Sequence, residues 1–150
     1  MAFLSSLDIS GSALTAERLR MDVVSENIAN ASTTRTEQGG PYRRKMVVFE
    51  PAGETGQASF RQMMEDHISS GEQANGGVRV AKIEEDQSEF PTVYDPTNPD
   101  ADAQGYVKMP NVDQTKETLD MMSSTTSYQA NLTAFNAVKT MASKALEMGR

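Results

Sequence analysis

The chain has 150 residues, the size of one ordinary domain, and a formal net charge of −7. Only 37% of its residues are hydrophobic and 6% are aromatic, with no tryptophan, so a large self-sufficient core is not expected. The negative charge argues against non-specific attraction to nucleic acid or to an anionic membrane surface. Cysteine is absent, which excludes disulfides, thiolate metal sites and a cysteine nucleophile.

The N-terminal segment is predicted to form an α-helix over residues 4–30. Leu7, Leu14, Met21 and Ile28 recur at every seventh position, which is the spacing of a narrow coiled-coil stripe. The segment has no basic n-region, and polar residues interrupt its apolar ones, so we expect neither a secretory signal peptide nor a membrane span. On these grounds alone the expected location is the cytoplasm.

The predicted helix ends in an unusual stretch, SENIANASTT, at residues 25–34. Asn30 can adopt the left-handed conformation that ends a helix, and the serine and threonines after it can turn the chain. A stop signal needs only one such residue, yet Asn27 lies one turn earlier. We therefore interpret Asn27, with Asn131 and Asn136 near the C-terminus, as amides that fix the register between packed helices.

The middle section, residues 35–110, is rich in glycine and proline, and residues 46–110 within it hold nearly all of the net negative charge. Four short runs are typical of β-strands: KMVVFE, GVRVAKI, TVYDP and GYVKMP. Residues 57–70 could form a short helix between glycine-bearing loops. The basic cluster RRK at 43–45 could hold an acidic neighbour, although an exposed strand edge is the more common explanation.

Two candidate metal or catalytic sites in the middle section are weak. His67 is the only histidine, and its neighbours have no ligand spacing, so we expect no catalytic role. The stretch NPDADAQG, residues 98–105, loosely echoes the first half of an EF-hand loop. Counted from Asp100 as the first loop position, the fifth position is Gln104 in place of Asp or Asn, and the twelfth is Asn111 in place of the bidentate glutamate. A rigid turn is the better interpretation.

The C-terminal segment is predicted to form a second long helix over residues 113–147. Asn111 or Asp113 can cap its start, and Glu117 and Asp120 suit the positive end of its dipole. Its seven-residue spacing and interleaved apolar positions are carried by Met121, Tyr128, Phe135, Ala142, Leu132 and Leu146. The two matching stripes favour an antiparallel pair of helices.

The expected fold class is therefore α+β and predominantly helical, with the terminal helices as an antiparallel coiled-coil pair and a small β-rich middle section. The expected divisions are residues 1–34, 35–110 and 111–150. Narrow stripes must be buried on something, so we expect the free monomer to have frayed ends. No catalytic, cofactor or metal residue is expected. The candidate assembly interface comprises Leu7, Leu14, Met21, Asn27, Ile28, Asn30, Tyr128, Asn131, Leu132, Phe135, Asn136 and Leu146.

The stretch LTAERLRMDVVSENIANASTT resembles the N-terminal motif of the bacterial flagellar rod and hook axial proteins. The stretches GPYRRKMVVFE, GGVRVAKIEED, VYDPTNPDADAQGYVKMPNVD and YQANLTAFNAVKTMASKALEMGR are similar to rod proteins of that family. This resemblance implies a structural subunit of the periplasm-spanning proximal rod, with other rod proteins and basal-body components as partners. It also implies passage through the flagellar type III export apparatus without a cleavable signal peptide, in place of the cytoplasmic location. The alternative is a soluble helical adaptor or chaperone that binds partner helices.

Overall fold

A computed structural model describes residues 2–52 and 76–148 of the chain, with side chains from Ser5 onward. Its elements in chain order are α1 (Ala2–Ala29), β1 (Lys45–Pro51), β2 (Val78–Glu85), β3 (Thr92–Tyr94), β4 (Tyr106–Lys108) and α2 (Gln114–Met148). The predicted fold class, both long helices and all four strands are confirmed. The short helix predicted over residues 57–70, and His67 within it, lie outside the described residues.

The ends of the two helices follow from local hydrogen bonds. At the end of α1, the side-chain amide of Asn30 donates to the Glu26 carbonyl at 2.9 Å, and the Asn30 carbonyl accepts from the Thr33 amide at 3.1 Å. At the start of α2, Asp113 Oδ1 accepts from the amides of Thr115 and Lys116 at 2.9 and 3.3 Å. Of the two candidate caps, Asp113 is therefore the one that caps α2.

The four strands form two separate two-stranded sheets, β1 with β2 and β3 with β4. The first sheet is antiparallel, as the hydrogen bonds at its two ends show. Asp86 N donates to Arg44 O at 2.8 Å at one end, and Ala52 N donates to Gly77 O at 2.9 Å at the other. In the second sheet Val93 pairs with Val107, also antiparallel. Each sheet is too small to be stable without packing against other elements.

The loop between β3 and β4 is the rigid turn expected in place of an EF-hand. Asp102 Oδ1 accepts from the amides of Gln104 and Tyr106 at 2.8 and 2.9 Å, so this carboxylate holds the turn together. Gly105 has a φ of +83°, and a Cβ at this position would lie 2.9 Å from the Tyr94 ring. Glycine is therefore required here both by the backbone conformation and by the close approach of the ring.

Contacts between Cα atoms divide the chain into two compact units. Unit 1 comprises Met1–Glu17, Phe49–Ala81 and Ser127–Arg150, and unit 2 comprises Arg18–Val48 and Lys82–Thr126. In unit 1, Ser12 Oγ on α1 accepts from the amide of Val78 at 3.1 Å. In unit 2, the two helices run antiparallel, because Met21 contacts Thr125 whereas Asn27 contacts Glu117.

The buried part of the described structure is small and contains polar as well as apolar side chains. Its apolar members are Ala16, Val23, Val24, Tyr42, Val107 and Pro110, and its polar members are Asn27, Glu117 and Ser124. Polar groups at this depth are costly unless they are hydrogen-bonded. Asn27 and Glu117 are hydrogen-bonded, whereas Ser124 Oγ has no hydrogen-bond partner among the described residues.

Helix α2 is covered unevenly along its length. Its buried residues are Glu117 and Ser124, both within its first eleven positions. Further along, Met141, Leu146 and Met148 are 67%, 76% and 83% exposed. The C-terminal part of α2 thus presents apolar side chains that the described chain leaves uncovered.

None of the described helices combines the length and the apolar character needed to cross a membrane.

We expect this uneven burial to be visible in the hydrogen exchange of the dilute chain. Amides at 114–125 should exchange at least roughly 100-fold more slowly than those at 132–148, equivalent to about 2.7 kcal/mol of local stability. The reason is that only the first stretch is held by buried contacts. Exchange measured by NMR or mass spectrometry would test this, and equal protection along the whole of α2 would contradict it.

Candidate assembly interface

Asn27 is fully buried, and its side-chain amide makes four hydrogen bonds. Nδ2 donates to the Lys45 carbonyl at 2.8 Å and to Glu117 Oε2 at 2.9 Å. Oδ1 accepts from the Lys45 amide and from the Tyr42 hydroxyl, both at 2.9 Å. An asparagine side chain has two donors and two acceptor positions, so its capacity is fully used. Asn27 thereby joins α1 to the start of β1 and to the start of α2.

The contact between Asn27 and Lys45 has the pattern of a strand pair. One side-chain amide bonds both the N–H and the C=O of Lys45, as a neighbouring strand would. Asn111 acts similarly one residue earlier, because its Oδ1 accepts from the Arg44 amide at 2.9 Å and its Nδ2 donates to the Asp86 carbonyl at 3.0 Å. Two asparagine side chains therefore satisfy the backbone where β1 begins.

Glu117 and Arg44 form a buried ion pair beside Asn27. Glu117 is fully buried, and its Oε1 accepts from Arg44 Nε at 2.6 Å while its other oxygen accepts from Asn27. The Arg44 side chain is 13% exposed and also lies 3.3 Å from Asp120. Burial of such a pair is tolerated only when its remaining polar atoms are bonded, as they are here. The location of Glu117 near the positive end of α2 adds to this stabilisation.

The basic stretch at 43–45 is thus a set of anchored cations. Arg44 binds Glu117, Lys45 Nζ lies 2.5 Å from Glu26, and the Arg43 guanidinium stacks 4.4 Å from the centre of the Phe90 ring. The interpretation of RRK as an exposed strand edge was therefore wrong, and the acidic-neighbour alternative is confirmed.

Tyr42 completes the group of buried polar contacts. Its hydroxyl donates to Asn27 Oδ1, and the residue is 7% exposed. Burial, together with the negative charges of Glu26, Glu117 and Glu85, raises the pKa of the Tyr42 hydroxyl to about 12. The polar cluster, as we call it from here, is Asn27, Tyr42, Arg44, Lys45 and Glu117.

On α1 the predicted interface residues lie in a half-buried row. Leu7, Leu14, Met21 and Ile28 are all half-buried. Val24 lies three positions after Met21 and four before Ile28, hence on the same face, and is 6% exposed. Met21 Sδ accepts from Thr125 Oγ1 at 3.6 Å, which brings this face against α2 in unit 2. Asn30, described above, is half-buried and bonds within its own chain reversal.

On α2 the predicted interface residues divide into two groups. Tyr128, Asn131 and Phe135 are half-buried, whereas Leu132, Asn136 and Leu146 are exposed. Asn131 Nδ2 donates to the Ser127 carbonyl of its own helix at 3.0 Å. The structure therefore brings Asn27 into contact with α2, while the hydrogen bond from Asn131 Nδ2 stays inside α2.

Sequence reasoning missed most of the polar cluster. It identified Asn27 but assigned no contacts to Tyr42, and it treated Glu117 only as a charge near a helix end. Arg44 and Glu117 are 73 positions apart, and no periodic pattern connects residues at such a distance. Three features of the sequence could have indicated the cluster: the unexplained Asn27, the basic residues 43–45 and the acidic start of α2. Each of them needs a polar partner if it is buried.

We expect replacement of Asn27 by alanine to destabilise the chain by about 3–5 kcal/mol, because Glu117, Tyr42 and Lys45 all lose partners in a buried setting. Asn30→Ala is the matched control, with an expected loss of about 1 kcal/mol or less, since Asn30 bonds only within its own turn. Urea unfolding followed by circular dichroism would measure both values. Equal losses in the two variants would contradict the role assigned to Asn27.

Tyr42 should make the stability depend on alkaline pH. Because the folded state holds the pKa of Tyr42 above the ordinary value of 10.0, its contribution is complete below pH 10 and is lost as pH rises towards 12. Tyr42→Phe should flatten this part of the stability curve. Tyr94→Phe, at a ring that is 63% exposed, is the control and should retain it. Unfolding measured across this pH range would decide between them.

Two family models match the chain, one at each end. The model described as flagella basal body rod protein matches residues 7–35, and the model described as flagellar basal body rod FlgEFG protein C-terminal matches residues 103–148. The first contains Asn27 and Asn30, and the second contains Asn111 and Glu117. The matched segments therefore include residues that make the long-range contacts of the polar cluster.

Several whole proteins are similar to the chain over its length. It is 53% identical to the flagellar basal-body rod protein FlgC of Bacillus subtilis, with all of both chains covered. It is 44% identical to FlgC of Salmonella typhimurium, again over all of both chains, and 43% identical to FlgC of Borreliella burgdorferi over 97% of each. With such identity across its full length, the chain belongs to the FlgC family of flagellar basal-body rod proteins.

Proposed function

We propose that the chain is a structural subunit of the proximal rod of the flagellar basal body and polymerises through its terminal helices into the torque-transmitting shaft. Membership of the rod protein family supports the rod and the basal body as its place. The observation that carries the mode of assembly is the long C-terminal part of α2, whose apolar side chains are exposed. A helix of this kind needs neighbours to cover it.

Polymerisation would supply the burial that the single chain lacks. The large apolar side chains exposed on α2 are Leu119, Met122, Leu132, Met141, Leu146 and Met148. Full burial of such a side chain contributes roughly 1.5–3 kcal/mol. Contacts in which each copy uses different surfaces, related by a rotation that does not close, generate a helical filament. The half-buried row on α1 offers a second surface for such contacts.

The polar cluster suits a part that carries load. In unit 2 it connects α1, the start of β1 and the start of α2 through hydrogen bonds and a buried ion pair. A force applied to one helix is therefore passed to the other and to the sheet through short, directional contacts. No catalytic step is needed for this function, which is to hold position under torque.

The proposal extends to partners and delivery. Other proximal and distal rod proteins would lie above and below this subunit, and adjacent basal-body components would surround them. The chain would reach the periplasm through the flagellar type III export apparatus. The absence of cysteine suits this route, because a premature disulfide would obstruct an unfolded chain in a narrow channel.

We expect Leu132→Asp to abolish incorporation into basal bodies and motility, because a charge would replace an apolar contact between neighbouring helices. The matched control is Leu132→Met, a change that conserves volume and should retain both. Motility assays and composition of isolated basal bodies would provide the measurement.

Because Leu132 is 40% exposed in the single chain, the stability of the soluble protein should change little in either variant. Normal rods containing the aspartate variant would contradict the proposal. A wild-type protein found only in the cytoplasmic fraction, bound to partner helices, would favour an adaptor instead.

A further inference from the structure

Unit 2 contains a half-open cleft of about 380 Å³ between the loop at residues 34–41 and the β4 region. The carboxylates on its wall are already engaged. Asp100 accepts from Thr34 Oγ1 at 2.7 Å and lies 3.6 Å from Arg35 Nη1, and Asp102 Oδ1 holds the turn before β4. The hydrogen bond between Thr34 and Asp100 fixes the two sides of the cleft to each other.

The cations at this cleft have spare capacity. The Arg35 side chain is 77% exposed, and its one contact with a carboxylate among the described residues is the long one with Asp100, at 3.6 Å. Lys108 is exposed, and no carboxylate lies within 4.0 Å of it in the part of the chain that the structure describes. The other arginines and lysines described between the helices are engaged by carboxylates or carbonyls: Arg43, Arg44, Lys45, Arg79 and Lys82. The cleft is thus where the middle section offers positive charge to a partner.

A negatively charged segment lies elsewhere in the same unit, at residues 84–89, with the sequence EEDQSE. Glu85 and Glu89 are exposed, and no cation lies within 4.0 Å of either among the described residues. The segment is held in place because Arg43 donates to the Asp86 carbonyl at 2.9 Å and the Ser88 amide bonds Asp86 Oδ1 at 2.9 Å. Its free carboxylates are therefore presented on a fixed backbone.

We propose that the cleft of one copy receives the acidic segment of a second copy, with Arg35 and Lys108 contacting the carboxylates of Glu85 and Glu89. This inference rests on the proposed function, because it describes a contact between subunits of the rod. The net charge of −7 makes copies repel one another, so a stable contact needs positive groups opposite negative ones. The two surfaces share no residue, as a head-to-tail contact that does not close requires.

The contact would set orientation more than affinity. Exposed ion pairs are individually weak and are screened by salt, whereas the apolar faces of the helices supply most of the binding free energy. Both surfaces are already ordered within unit 2, so little conformational entropy is lost when they meet. The expected role is to fix the rotation of the middle section of one copy against that of the next.

An exchange of charges tests the contact. Lys108→Glu and Glu85→Lys should each lower incorporation into isolated basal bodies by roughly tenfold, because like charges would then face each other. The double variant should recover most of the loss, since every contact between copies regains an opposite pair. Full incorporation of either single variant, or a double variant no better than the singles, would overturn the inference. Thermal unfolding of the soluble Lys108→Glu variant should match the parent, because no carboxylate among the described residues lies within 4.0 Å of Lys108.

Crosslinking provides an independent measurement, since any cysteine in this chain must be an introduced one. Copies carrying Lys108→Cys and copies carrying Glu85→Cys would be produced together and treated in isolated basal bodies with a short bis-maleimide. We expect a dimer from this combination and none when Glu50→Cys, on β1, replaces Glu85→Cys. Basal bodies that contain the chain but give no specific dimer would overturn this inference alone. Absence of the parent chain from basal bodies would overturn the proposed function.

Discussion

The amide side chain of Asn27 is the contact on which the rest of unit 2 depends. It lies in the last turn of α1 and bonds two segments that are distant in sequence, at Lys45 and Glu117. Because all four of its bonding positions are used, no rearrangement can move one segment without breaking contacts to another. Within unit 2, Asn27 therefore connects both helices and the start of β1 at one point, and the Arg44–Glu117 pair and Asn111 add to this connection.

A polar group performs this task in a molecule that has few buried apolar residues. Apolar contacts tolerate sliding, whereas hydrogen bonds and ion pairs demand a particular geometry. A buried pair such as Arg44 and Glu117 adds little net stability compared with apolar packing, and we expect its role to be to disfavour alternative registers. Unit 2 thus has a defined arrangement, while the apolar side chains at the far end of α2 are exposed. In the assembly we propose, the two ends of this helix therefore have different roles: one fixes the register and the other contacts neighbouring subunits.

The sequence predicted the elements better than the contacts between them. Heptad spacing identified both helices, β-type runs identified the strands, and Asp113 was one of two expected caps. The sequence indicated that Asn27 is not needed to end the helix and must have another role. Its partners could not be predicted, because they lie 18 and 90 positions away, beyond the reach of any local pattern. The exposed interpretation of RRK failed for the same reason, because Glu117 only meets Arg44 after the chain has folded back. The seven-residue stripe likewise did not show that Val23 and Val24 would be more deeply buried than the leucines.

The separation of 90 positions between Asn27 and Glu117 also determines when the polar cluster can close. A ribosome makes the chain from its N-terminus onward, so Asn27 emerges long before its glutamate. Until residue 117 has followed, the amide and the guanidinium of Arg44 have no common partner, and contacts of such long range form slowly. The polar cluster consequently closes only after most of the chain has been made.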